Sequence, residues 1–379
     1  MKKNVSMLII FMMACLNSNA YDIELNGIYY DLVKKAKVAK VSHDWNNDYS
    51  GDIVIPTTIT YEGVTYTVVS ILDYAFSGCK NLNSVILPES LTSIGEHVFA
   101  NSSIKEIVIP NSVSEIGKYT FSQCYSLESV TLPSSLTKIE YQLFRLCNKL
   151  KSITIPDNVT EIGDMAFEDC YALCSVSLSK NLQLIGKQGF RGCKSLEEIV
   201  IPDGLLAIGA QAFWQCAFKT INIPNSVLGV GADAFRYNKQ LSKVYLGKNV
   251  IFVYDEAFAD CKELADFYSF PNSVPNIYED GEWNINKWNG VFNNSEIEYA
   301  TLHVPESSIN EYKSKPYWKE FGNIVALTEQ DTGVSPVNTY NEKTVEKVFS
   351  IEGKHMDSPK KGINIIRMSD GTTKKVIIK

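Results

Sequence analysis

Cysteine has the widest chemical range of any side chain in this protein, and its spacing is regular. Cys79, Cys124, Cys147, Cys170, Cys193, Cys216 and Cys261 each stand three residues after a phenylalanine, in strings such as AFSGC, FSQC, FRLC, AFEDC and AFADC. Thiols at a fixed interval suit a disulfide framework, a metal site or a set of nucleophiles. The residues that would support the last two are missing. The histidines, His43, His97, His303 and His355, never stand four apart, and no H-E-x-x-H string exists, so a histidine-based zinc site is not expected. No G-x-S-x-G nucleophile elbow occurs. GVGADA, residues 229–234, fits the G-x-G-x-x-A phosphate fingerprint. That fingerprint needs a strand before it and a helix after it; here it is one more copy of the Val-Gly and Ala-Phe pairs that recur along the chain. In DWNNDYSGD, Asp44, Asn46, Asp48, Ser50 and Asp52 place oxygens at alternate positions, a spacing that suits Ca²⁺. Tyr49 stands where the EF-hand glycine belongs and no glutamate follows at the twelfth position, so a polar turn is the plainer reading. No catalytic residue, cofactor or metal is expected.

The elements that position the cysteines are coils of a repeat. The key phenylalanines are Phe76, Phe99, Phe121, Phe144, Phe167, Phe190, Phe213, Phe235 and Phe258, at steps of 22 or 23 residues. Ile or Val stands five residues before each, and Gly follows it at Gly95, Gly117, Gly163, Gly186, Gly209 and Gly231. After the phenylalanine comes V-x-[IL]-P, as in VILP (85–88), ITIP (153–156) and INIP (221–224). The alternation reads as a short strand with one buried face. Proline ends it because it cannot donate to a ladder. The Ile-Gly pair marks a bend on the opposite side, and the phenylalanine fills the gap between the walls. One such unit cannot bury its apolar face alone, so neighbours stack into a quasi-one-dimensional core. The fold expected is a right-handed, β-rich leucine-rich-repeat solenoid of about nine coils over residues 71–261, a rod of about 45 Å at the ~4.8 Å strand spacing.

The pattern I-G-x-x-[AV]-F-x-x-C-x-x-L-x-x-V-x-[IL]-P resembles the leucine-rich repeat of BspA-like surface proteins. Residues 21–32 and 50–71 are similar to the N-terminal cap of that family, and residues 300–324 to the cap after its last repeat. The resemblance covers residues 21–327. It implies a secreted or cell-surface protein associated with adhesion and host-protein binding, with no shared catalytic residues.

Outside the repeat, residues 21–70 read as a β-rich cap, which a solenoid needs to protect its open end. Residues 262–327 break the period and hold Trp283, Trp288, Trp318, Tyr268, Phe292, Tyr312 and Phe321. Rings at this density either contact a ligand or seal the C-terminal end, and sealing is the plainer reading. Residues 328–344 read as a linker. Residues 345–379 read as a small β module. Gly362, the strand at 363–367, Gly371 and residues 375–379 resemble the C-terminal sorting domain of type IX secretion cargo; an accessory hairpin is the alternative.

The N-terminus reads as a secretory signal peptide over residues 1–20. Lys2 and Lys3 precede an apolar run at residues 7–16, and Ser18 and Ala20 are the small residues before a cleavage at Tyr21. The alternative is a lipoprotein signal, MMAC, with acylation at Cys15. No other apolar run reaches about 18 residues, so the mature chain is not expected to span a membrane. The net charge of −7 weighs against a nucleic-acid or anionic-membrane partner.

Function then falls to the strand exteriors. The x residues of V-x-[IL] face outward because side chains alternate: Ile86, Val108, Thr131, Thr154, Ser177, Val200, Asn222 and Tyr245. A parallel outer row is Ser84, Glu106, Ser129, Ser152, Ser175, Glu198, Thr220 and Lys243. The favoured reading is a non-catalytic, adhesin-like binding protein that engages a protein or glycan of host or neighbouring cells through this face. A structural stalk is the second reading, and a glycan-active enzyme using rings near Trp283 and Trp288 the third. Ligand and oligomeric state are left open.

The cysteines follow from the same geometry. Equivalent side chains of stacked coils lie near 4.8 Å apart, whereas a disulfide wants about 3.8 Å between Cβ atoms. Five consecutive coils carry Cys, an odd run that cannot pair completely, and Ser102 and Asn238 replace it elsewhere. The expectation is a ladder of buried free thiols that bond weakly to backbone, with Cys174 outside it.

Overall fold

The computed structural model describes residues 21–44, 48–278, 290–328, 331, 345–350, 355–356, 362–368 and 373–378. Residues 21–328 form a β-solenoid of about eleven turns, each with three walls. The first wall carries the V-x-[IL] strands. They run parallel and in register, as in Glu106–Val108 against Ser129–Thr131 and Ser152–Thr154 against Ser175–Ser177. Its longest ladder joins Thr220–Ile223, Lys243–Leu246, Asp266–Ser269, Thr301–Val304 and Asn323–Ala326. Residues 198–200 keep the alternation without ladder bonds. The second wall carries the Ile-Gly pairs as short strands, from Ser93–Ile94 to Asn276–Tyr278. Glycine is demanded there by contact between coils. A Cβ on Gly117 would lie 2.5 Å from the carbonyl carbon of Gly95, and one on Gly209 2.6 Å from that of Gly186.

The third wall is the turn that holds the phenylalanine. In the nine coils from Phe76 to Phe258 the residues two before and two after the ring have positive φ, for example Met165 (58°) and Asp169 (57°) around Phe167. Left-handed backbone costs a non-glycine residue about 1 kcal/mol. The alternation it creates points every second N–H group at the next coil. Met165 donates to the Lys187 carbonyl (2.8 Å), Phe167 to Gly189 (2.8 Å) and Asp169 to Arg191 (2.7 Å). Three backbone bonds per interface, repeated along the wall, offset the strain. Inside, the nine phenylalanines are fully buried and stack 5.0–5.5 Å apart within 15° of parallel.

The coil count corrects the sequence reading. The repeat does not stop at residue 261. Phe292 stacks on Phe258 (6.1 Å, 18°), Asn294 repeats the left-handed turn, and the first wall continues to Ala326. The extra coil was hidden because Phe292 follows Phe258 by 34 residues instead of 23. Trp283 and Trp288 lie outside the described residues. Trp318, Tyr312 and Phe321 are buried across the end of the stack; Trp318 meets Phe267 edge-on at 5.7 Å and donates to the Pro275 carbonyl.

At the other end, the hairpin Ile23–Leu25/Ile28–Val33 and the strand Val38–Val41 extend the second wall through Val64–Ile71. Tyr49 lies on Phe76 (4.5 Å), its hydroxyl donating to the Ser42 carbonyl and accepting from the Tyr29 N–H. Strands Val345–Ser350, His355–Met356, Gly362–Met368 and Thr373–Ile378 form a separate antiparallel sheet.

Candidate functional site

The outward side of the first wall is a continuous column of side chains, because parallel register places equivalent residues side by side. Val54 and Ile86 are each 60% exposed, Val108 68% and Val200 85%. Thr131, Thr154 and Ser177 are exposed, while Asn222 and Tyr245 are half-buried. The flanking row at Ser84 is half-buried, and Glu106, Ser129, Ser152, Ser175, Glu198, Thr220 and Lys243 are exposed.

The column changes character along the rod. Val54, Ile86 and Val108 form an apolar stripe on successive coils, and the middle coils present hydroxyls. The C-terminal coils carry stacked rings, Tyr245 on Tyr268 (4.6 Å, 13°) and Tyr268 on His303 (4.2 Å, 12°), with Tyr268 buried between half-buried Tyr245 and His303. His303 Nε2 sits 3.1 Å from Asp266 Oδ1. Sequence reasoning missed Val54, Tyr268, His303 and Val325 as members. The signal was present for two of them: IVIP at 53–56 and LHVP at 302–305 carry the strand motif. Tyr268 and Val325 lack the closing proline and were invisible to it.

The cysteines occupy the inside of the third wall. All eight cysteines among the described residues are free thiols; seven are buried and Cys174 is exposed. Each thiol of the ladder after the first donates to the phenylalanine carbonyl of the preceding coil. Cys124 Sγ lies 2.9 Å from the Phe99 oxygen, Cys147 3.1 Å from Phe121, and Cys170 3.0 Å from Phe144. Cys193 and Cys216 reach Phe167 and Phe190 at 3.3 Å, and Cys261 reaches Phe235 at 3.4 Å. Where cysteine is absent, Asn238 Nδ2 reaches Phe213 (2.8 Å) and Ser295 Oγ reaches Phe258 (2.7 Å), whereas Ser102 Oγ contacts Cys124 Sγ (3.7 Å) instead. The position therefore requires a small side chain with a donor. Cys79 has no phenylalanine coil before it and approaches the Ser77 carbonyl instead.

Burial pushes the Cys79 thiol up to about 11 and those of Cys124, Cys170 and Cys261 to about 12. Cys147, Cys193 and Cys216 move in the same direction for the same reason. At neutral pH these thiols stay protonated, and the thiolate is the reactive form. The outside of the same wall is zipped by charge. Glu168, its side chain 6% exposed, accepts from Arg145 Nε and an Arg191 guanidinium nitrogen, both at 2.6 Å. Arg191 in turn lies over the Trp214 ring (4.6 Å).

Among the described residues no three His, Cys, Asp or Glu side chains are grouped to hold a metal ion, and no helix is long and apolar enough to cross a membrane. Asn46 of the candidate Ca²⁺ loop lies outside the described residues.

The family model for the BspA type leucine-rich repeat region matches residues 57–174 and 162–281, in six copies. No curated protein sequence matches the chain. Among solved structures, the chain is similar to a leucine-rich cell surface protein of Faecalibacterium prausnitzii, with 21% identity, a TM-score of 0.51, and 84% of this chain and 98% of that one covered. This likeness is one of fold. A leucine-rich repeat protein of Bacteroides ovatus matches at 21% identity with a TM-score of 0.42, covering 81% of this chain and all of that one. The pneumococcal vaccine antigen PcpA matches at 18% identity with a TM-score of 0.38, covering 82% and 99%.

Proposed function

The chain belongs to the BspA-type leucine-rich repeat family, and we propose that it is a non-catalytic, secreted or cell-surface protein whose first wall binds a protein or glycan of host or neighbouring cells. One observation carries this reading: the exposed apolar residues Val54, Ile86 and Val108 on three successive coils of the first wall. Exposed aliphatic side chains in contiguous array mark contact surfaces more often than solvated faces. The stacked rings at Tyr245, Tyr268 and His303 extend the same face and suit a glycan or an aromatic side chain.

The test is binding of the labelled protein to immobilised extracellular-matrix proteins and to mucin. Saturable binding that is lost in Ile86→Lys with Val108→Lys, at unchanged thermal stability, supports the reading. Binding that survives those changes, together with Thr154→Lys and Ser177→Lys, removes it.

We further assign the four-stranded C-terminal sheet to export sorting. Deletion of residues 345–379 should leave the protein inside the producing cell while a signal-peptide-processed form accumulates. Undiminished appearance at the surface would refute this.

A further inference from the structure

The N-terminal end of the first wall is an unfinished sheet edge that faces a cleft. Strand Gly51–Val54 pairs only with Leu82–Ile86, in parallel. Gly51 donates to the Asn81 carbonyl (2.8 Å) and Ile55 to the Ile86 carbonyl (3.0 Å). In a parallel ladder, alternate residues bond to one neighbouring strand and the residues between them face the other side. Asp52 and Val54 therefore direct their backbone N–H and C=O groups away from the ladder. Among the described residues nothing bonds to those groups. They open on a cleft of about 500 Å³, closed on its far side by the N-terminal hairpin and residues 58–60. Its apolar part is made by buried Ile28, Tyr30 and Ile59 with half-buried Leu25 and Ile53, and exposed Asn26, Asp52, Thr58 and Thr60 line the rest.

We infer that this cleft is a strand-addition site for an extended segment of a partner protein that carries apolar side chains at alternate positions. Two backbone donors and two acceptors in alternation are matched only by another extended backbone, and the apolar part of the cleft then takes every second side chain. Natural edges are commonly blunted with charge, proline or a bulge; here a register shift between Gly51 and Asp52, the charge of Asp52 and the following Pro56 flank the strand, and the exposed Val54 between them keeps its outward backbone groups unpaired. The cleft lies between the strand edge and the N-terminal hairpin and holds about 500 Å³, a volume that suits a single extended segment. An added strand would continue the first-wall ladder by one rung and lie beside the Val54–Ile86–Val108 stripe. The site uses main-chain groups at the end of the wall, so it stands independently of side-chain binding on the face.

The probe is a panel of blocked hexapeptides alternating an aliphatic or aromatic residue with threonine, titrated against the full chain. Saturable binding is expected for some members, with chemical-shift changes at the Asp52 and Val54 amides. N-methylation of the peptide at alternate residues should weaken binding about tenfold, by removing hydrogen bonds to the edge. Val54→Pro removes the outward donor yet keeps the bonds from Gly51 and Ile55 to the Leu82–Ile86 strand, and proline is tolerated at such edges. It should weaken binding by about the same factor at an unchanged melting temperature. Leu25→Glu gives an independent variant on the hairpin side with the same expected loss. The inference is overturned if no peptide binds at about 1 mM, or if binding ignores both variants and N-methylation. Sedimentation showing that Val54→Pro dissolves a self-association of the unmodified chain would also overturn it, by making a second copy the occupant.

Discussion

The first and third walls use the same coils and the same period, yet they spend their side chains differently. On the third wall the ring and the thiol of each Phe-x-x-Cys turn are committed to the core. The ring stacks, the thiol bonds to the preceding coil, and outward charges such as Arg145, Glu168 and Arg191 pair between coils. On the first wall half the side chains are committed to the core, and the outward half, buried Tyr268 apart, contact solvent wholly or in part. A ladder held by backbone alone leaves its outward side chains free to vary in chemistry, as they do from Val54 to His303. The contrast places the packed core contacts on one side of the rod and the variable, largely solvent-facing side chains on the other.

The largest break in that contrast should come from alkaline pH, which acts on the whole third wall at once. The folded thiols titrate near 11 to 12 against 9.0 for an ordinary cysteine. A raised folded value means that the stabilisation is fully present below pH 9 and is lost as the pH climbs from 9 through 11 to 12. Each pH unit in that window costs about 1.4 kcal/mol per thiol. The melting temperature should fall steeply above pH 9, and a Cys147→Ser/Cys170→Ser/Cys193→Ser variant should show a shallower fall. An unchanged slope would mean that the buried thiols do not govern it.

Among single substitutions, Phe167→Ala should destabilise by about 3–5 kcal/mol through the cavity it leaves in the stack, measured by chemical denaturation. Gly209→Ala should cost about 1–3 kcal/mol, because its Cβ meets backbone that can move only with the neighbouring coil. Cys170→Val removes the donor to Phe144 at similar size and should cost about 1 kcal/mol, whereas Cys170→Ser should cost less, since Ser295 does the same task natively. At the bottom of the scale, Thr154→Lys should change stability by no more than about 0.5 kcal/mol while abolishing first-wall binding. A Thr154→Lys cost as large as that of Phe167→Ala would erase the distinction between the walls.

Much of this was legible in the chain. The nine phenylalanines and their 22- or 23-residue steps identify the solenoid, because a stacked coil can repeat only with a constant path length. The odd run of five cysteines and the mismatch between strand spacing and disulfide geometry point to free thiols. The tenth phenylalanine, Phe292, escaped because an insertion lengthened its coil without moving its ring. Tyr268 and His303 escaped as a stacked pair because they are 35 residues apart in the chain and adjacent only across a ladder bond.

The sequence by itself determined the period, the direction in which each V-x-[IL] side chain points and the identity of the rings and thiols that fill the core. These are local or periodic properties, dictated by alternation and by the size of one coil. Only the tertiary structure decided what the thiols do, since the Phe carbonyl that accepts each one belongs to the coil before. It also decided that left-handed residues flank the nine periodic rings, because that strained backbone is offset by bonds to a neighbouring coil rather than by anything within its own. The free edge at Asp52 and Val54 is likewise a tertiary fact. Whether a strand has one partner or two depends on where the stack begins, and the stack begins where the N-terminal hairpin turns aside.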